Sequence, residues 1–92
     1  MITLDTLCLR FAALTAEDLL HWIAEGHVHP DTDSGTLVFR AIDVERVRLI
    51  LELRDVLEVN EAALPVVLSL LDQLYALRRR LREAGLAVDE PG

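Results

Sequence analysis

The segment Thr15 to Phe39, TAEDLLHWIAEGHVHPDTDSGTLVF, constrains the chain most, because it carries start and stop signals for consecutive elements. Thr15 is a favourable helix N-cap, and Asp18 stands three residues on, where the reciprocal acid of a capping box belongs. Leu19, Leu20, Trp22 and Ile23 supply an apolar face at helical spacing. Gly26 suits the left-handed residue that ends a helix. Val28 before, and Leu37, Val38 and Phe39 after, flank a turn-rich stretch around Asp33-Ser34-Gly35, which predicts a hairpin. Pro30 has no backbone donor and belongs at an edge or a strand end.

The flanking sequence extends this order. Met1 to Leu4 reads as a short strand that pairs with the hairpin, and Asp5 as the cap of a first helix. Leu7, Cys8, Phe11 and Leu14 share one side of that helix and its exit. Two short helices joined by a few residues have helix-turn-helix geometry, and the hairpin behind them makes a wing. Ile42 to Leu57 predicts a third helix with Ile42, Val47, Leu49, Ile50, Leu53 and Leu57 as its apolar positions. Arg48–Glu52 and Arg54–Glu58 stand at i,i+4 on its polar side, pairs that contribute about 0.2–0.5 kcal/mol each. That side reads as solvated. Asp43 and Glu45 fit the helix start, where the dipole favours acids.

Asn60 caps a final helix that runs to about Ala84, with Pro65 near its first turn, where a missing donor costs little. Val67, Leu70, Leu74, Leu77, Leu81 and Ala84 step by three and four, the spacing of a coiled-coil seam. Leu64, Leu68 and Leu71 widen the apolar face at the N-terminal half, which therefore docks on the domain. The C-terminal half needs a second subunit or another protein, with Leu70, Leu74, Leu77 and Leu81 as the candidate dimer seam. Arg78, Arg79, Arg80 and Arg82 read as a solvated helix end, and Gly85 as its stop. The chain thus divides into a domain at 1–58, an amphipathic helix at 59–85 and a flexible tail at 86–92.

Charge separates the function classes. The net charge is −7, and residues 1–45 hold two arginines against eight acids, a balance of −6. Phosphate neutralisation supplies most nonspecific DNA affinity, so an acidic head is poorly suited to DNA. A basic protein partner fits it better.

Catalytic and metal-binding patterns are missing. Cys8, the one cysteine, excludes an internal disulfide and reads as a small core residue. His27, His29 and Asp31 bring ligand types close together, but no cysteine or further histidine nearby completes a closed site. His21 reads as a surface residue. No nucleophile–histidine pair, phosphate loop or dinucleotide motif occurs, so neither an enzyme nor a cofactor is expected. With no basic leader at its start and no apolar run approaching about 18 residues, the chain is expected to be soluble and cytoplasmic.

The run from the second helix through EGHVHPD and the LVF end of the wing to AIDVERVRLILELRDVLEVNEAAL resembles the MerR-like winged helix-turn-helix superfamily. Within it, the acidic head and the ending LPVVLSLLDQLYALRRRLRE are most similar to the CbpM family of chaperone modulators. The resemblance covers about residues 2–84. It implies a mainly α fold, a MerR-like winged domain with a small hairpin wing and a long coiled-coil-type helix. It also implies binding to the J-domain of CbpA, a DnaJ-type co-chaperone, and inhibition of its action on Hsp70. DNA-binding MerR proteins carry arginine near the start of the second helix and in the wing. Here those places hold Glu17-Asp18 and Asp31-Thr32-Asp33. Two functions therefore stand: a protein-interaction module using Glu17, Asp18, Asp31 and Asp33 against a basic helix, and a DNA-binding transcriptional regulator.

Overall fold

In the computed structural model, which describes residues 1–85, threonine hydroxyls open the first two helices. β1 (Ile2–Thr3) runs straight into α1 (Leu4–Arg10), and the Thr3 hydroxyl accepts the Thr6 N–H at 3.3 Å. Asp5, the expected cap, lies instead in the first turn, where its charge faces the positive end of the helix dipole. α2 (Ala16–Ala24) starts as expected, with the Thr15 hydroxyl accepting the Asp18 N–H at 3.1 Å. The reciprocal half of the capping box is replaced, because the Asp18 carboxylate turns to Arg54.

Gly26, at φ +80°, ends α2. The His27 N–H reaches the Trp22 carbonyl at 2.8 Å and the Gly26 N–H the Ile23 carbonyl at 3.1 Å, the paired bonds of a Schellman motif. Leu19 and Trp22 are fully buried and Ile23 partly, but Leu20 points to solvent, unlike the face expected from the sequence.

The hairpin closes where the turn residues place it. β2 (Asp31–Asp33) pairs with β3 (Thr36–Phe39), Asp33 opposite Thr36 and Asp31 opposite Val38. Ser34 at φ 51° and Gly35 at φ 82° form the two-residue loop, the geometry that matches the strand twist. The first strand is therefore the Asp-Thr-Asp run, expected to be loop, while Val28 lies outside any strand and is buried in the core. β1 adds to the far side of β3, Ile2 opposite Phe39, giving the antiparallel order β1-β3-β2. The lead-in strand pairs as expected and makes the sheet three-stranded.

α3 (Ala41–Asp55) gives the core more buried side chains than any other described helix. Val44, Val47, Ile50, Leu51 and Leu53 are buried, whereas Ile42 and Leu57, expected on the apolar face, are exposed. A helix turns about 100° per residue, so Ile42 lies nearly opposite Val44. Leu57 comes after the helix has ended: the Val59 N–H folds back to the Leu53 carbonyl at 2.8 Å, with Glu58 at φ 55°.

The Asn60 side chain accepts the Ala63 N–H at 2.8 Å and caps the turn that leads into α4 (Leu64–Glu83), where Pro65 occupies the first positions. Leu64 and Leu68 are buried in the same core as Trp22, Phe39 and Val47, with Val67 and Leu71 packed at its edge. Full burial of side chains this size stabilises by about 1.5–3 kcal/mol each. From Asp72 onward no described residue is buried. Among the described residues no helix is long and apolar enough to cross a membrane. The tail expected at 86–92 lies outside the described residues.

Candidate functional site

Every arginine at or within α3 is engaged by the protein itself. Arg40, the residue before the helix, has its N–H bound by Asp43 Oδ2 at 2.8 Å and its Nε by the same oxygen at 3.2 Å. Its Nη2 reaches the His29 carbonyl at 3.3 Å, and Asp31 stands 3.7 Å from its Nε. The Asp43 hydrogen bond, then the charges of Asp43 and Asp31, push the Arg40 guanidinium above its ordinary pKa. Arg46 binds the Asp72 carboxylate with both terminal nitrogens, at 2.8 and 3.0 Å, and donates Nε to the His27 carbonyl at 3.0 Å. A fork-to-carboxylate pair of this kind fixes geometry as well as charge. It fastens α4 and the 27–29 segment to α3.

Arg48 pairs with Glu45 at 2.8 Å and lies 5.7 Å over the Phe11 ring, not with Glu52 as the sequence spacing implies. Arg54 likewise passes over Glu58. It binds Asp18 at 2.8 Å, Asp55 at 2.7 Å and the Ala13 carbonyl at 3.0 Å, with its guanidinium 5.5 Å from the Trp22 ring. The Asp55 hydrogen bond chiefly raises the Arg54 pKa, and the same bond lowers that of Asp55. The polar side of α3, expected to be solvated, is a set of tertiary ties.

The four acids singled out from the sequence fall into two kinds. Glu17 and Asp33 are exposed; among the described residues Glu17 has no ion pair, and Asp33 accepts only the Ser34 hydroxyl at 3.5 Å. Asp18 and Asp31 are structural partners of Arg54 and Arg40. Those two arginines stand at opposite ends of α3, roughly 20 Å apart at 1.5 Å per residue. Asp18 and Asp31 are thus tied to opposite ends of the domain rather than to each other. Sequence reasoning missed Asp72 and Glu61. The first binds Arg46; the second lies 3.5 Å from Trp22 Nε1 and 3.9 Å from His21 Nε2.

Between α3, the 26–29 segment and α4 runs an open groove of about 640 Å³. One wall is a helical stripe, Ile42, Glu45, Leu49 and Glu52; Tyr75 stands on the other, and the Arg46–Asp72 pair bridges them. The i, i+3, i+7, i+10 spacing of that stripe is visible in the sequence, where Ile42 and Leu49 read as core.

His27 is buried and His29 exposed, neither in a strand, and both present their carbonyls to α3 arginines. Among the described residues no three His, Cys, Asp or Glu side chains gather to hold a metal. Cys8 is partly buried at the core edge. On α4, Leu70, Leu74 and Leu77 are exposed by 60%, 40% and 48%, and Leu81 is partly exposed. Comparison with known proteins finds no family model, no curated protein and no solved structure that matches this chain.

Proposed function

We propose that the chain is a chaperone modulator of the CbpM kind, a MerR-like winged helix-turn-helix domain that has exchanged DNA for a protein. It binds the J-domain of a CbpA- or DnaJ-type co-chaperone and keeps that domain from stimulating Hsp70. One observation carries the choice over a transcriptional regulator. Arg40, Arg46, Arg48 and Arg54 are all held in internal ion pairs, while Glu17 and Asp33 at the helix start and the wing stand open to solvent. A duplex gains affinity by trading counterions for cationic side chains, and here α3 would have to break its own ties to supply them. A basic helix meets the opposite situation, carboxylates that are already free.

The long α4, with its leucine seam outside the core, fits pairing with a second copy in a coiled coil. Calorimetry against the J-domain of a co-chaperone from the same genome, with a parallel titration of duplex DNA, tests the reading. Binding of the J-domain, and a reduced rate of J-domain-stimulated ATP hydrolysis by Hsp70, is the expected result. Sequence-specific duplex binding without J-domain binding assigns the chain to the regulators.

A further inference from the structure

The groove beside α3 leaves apolar side chains uncovered on both of its walls. Ile42 is 69% exposed and Tyr75 49%, so each wall carries a large side chain without cover. Ile42 and Leu49 are one heptad apart, about 10 Å along α3, the repeat that a second helix presents from one face. The charges on the walls do not cancel. Arg40, Arg46 and Arg48 are matched by Asp43, Asp72 and Glu45. That leaves Glu52, exposed at the end of the stripe, with no ion pair among the described residues. Arg48 is its spacing partner, but Arg48 is turned toward Glu45 and Phe11.

We infer that this groove is the docking surface for a basic amphipathic helix of the partner protein. Apolar side chains one heptad apart sit over Ile42–Tyr75 and Leu49, and a lysine or arginine one turn further meets the Glu52 carboxylate. The inference rests on the J-domain reading and gives it an address: the basic helix lies along α3 and α4, with the acidic helix start and wing steering it in. The Arg46–Asp72 fork holds the two walls at fixed spacing, so the seat exists before the partner arrives.

The test is calorimetry of the full chain against the J-domain at low and at high salt. The variants are Ile42→Asp, Glu52→Arg and, from the opposite wall, Tyr75→Ala. Exposed Ile42 and unpaired Glu52 leave the melting temperature unchanged, which circular dichroism checks. The expected result is a Kd raised at least tenfold by Ile42→Asp and by Tyr75→Ala at both salt concentrations, and by Glu52→Arg mainly at low salt. Wild-type binding that all three variants retain at full strength overturns the groove and leaves the J-domain reading standing. Absence of wild-type binding overturns both.

Discussion

Arg54 and Asp18, 36 residues apart in the chain, meet at 2.8 Å, Nη1 to Oδ2, and join the end of α3 to the start of α2. The same guanidinium covers Trp22, which is fully buried, and takes the Ala13 carbonyl that precedes α2. One side chain therefore fixes how the second helix lies on the third. Asp18 is the position at which a charge reversal designed to weaken partner binding would also loosen the domain.

Arg54→Ala is expected to lower stability by roughly 1–2 kcal/mol. A partly exposed ion pair contributes about 0.2–1 kcal/mol and a cation–π contact at such a site about 0.5–1 kcal/mol. For a domain of this size each kcal/mol moves the melting temperature by about 4–8 °C. Glu17→Lys, one residue from Asp18 but without an ion pair, should leave the melt within about 0.5 kcal/mol of wild type. Thermal denaturation of both variants checks the contrast.

Acid should expose the Arg54–Asp55 bond. Asp55 titrates below its ordinary 3.8 because Arg54 hydrogen-bonds its charged form. A group with a depressed folded-state pKa contributes stability above its unfolded value and loses it as pH falls through the folded one. Asp55→Asn should therefore cost the same amount at neutral pH and at about pH 5, and progressively less below about pH 4. Denaturant titrations of both proteins over that range measure the difference. A gap unchanged at about pH 3 would contradict the bond.

Signals confined to a few neighbouring residues were legible in the sequence, and long-range ones were not. Thr15 and Gly26 bracket α2 because a cap and a left-handed stop are properties of the local backbone. Asp31-Thr32-Asp33 gave no strand signal, since aspartate disfavours strands; tight-turn geometry and pairing to β3 impose one. Ile42 and Val44 both look apolar, and only the packing of α3 shows that the second faces the core. Arg48 and Arg54 have acids at i+4, yet each takes another acid, because exposed i,i+4 pairs contribute too little to hold a side chain that has other partners. The groove was hidden for the same reason, since Glu52 is bare only once Arg48 has turned away.

Gly35 should be the least replaceable residue of the hairpin. At φ 82° a side chain is strained although no atom lies within 4 Å of where a Cβ would be. Gly35→Ala is expected to cost about 1–2 kcal/mol from backbone strain alone. Ser34, at φ 51°, already bears that strain, so Ser34→Asn or Ser34→Gly should leave stability equal or raise it by a few tenths of a kcal/mol. Chemical denaturation of the three variants ranks them.

Self-association should run through the outer half of α4. Leu70, Leu74 and Leu77 take no part in the core, so their replacement spares the domain while removing the seam. Burying a leucine fully stabilises by about 1.5–3 kcal/mol, enough over several pairs to hold two helices together. Leu74→Glu with Leu77→Glu should keep the wild-type circular dichroism and sediment as a monomer. A wild-type chain already monomeric at micromolar concentration would assign the seam to a foreign partner.

On the proposed chaperone-modulator reading, capture of the co-chaperone should depend on the exposed acids, and its retention on the groove. Among the described residues Glu17 and Asp33 have no arginine partner, so Glu17→Lys with Asp33→Lys changes the field around the domain without breaking an ion pair. Rim charges act on the encounter and its salt sensitivity more than on dissociation. The double variant should therefore bind the J-domain with a slower association rate, a flatter salt dependence and a nearly unchanged dissociation rate. Screening shortens from about 10 Å at 0.1 M salt to about 3 Å at 1 M, so wild type and variant should converge as salt rises. Surface-binding kinetics across that range follow both rates. An association rate unaffected by either the reversal or salt would mean that the acids of the helix start and hairpin do not face the partner, and binding would then have to be sought on α4.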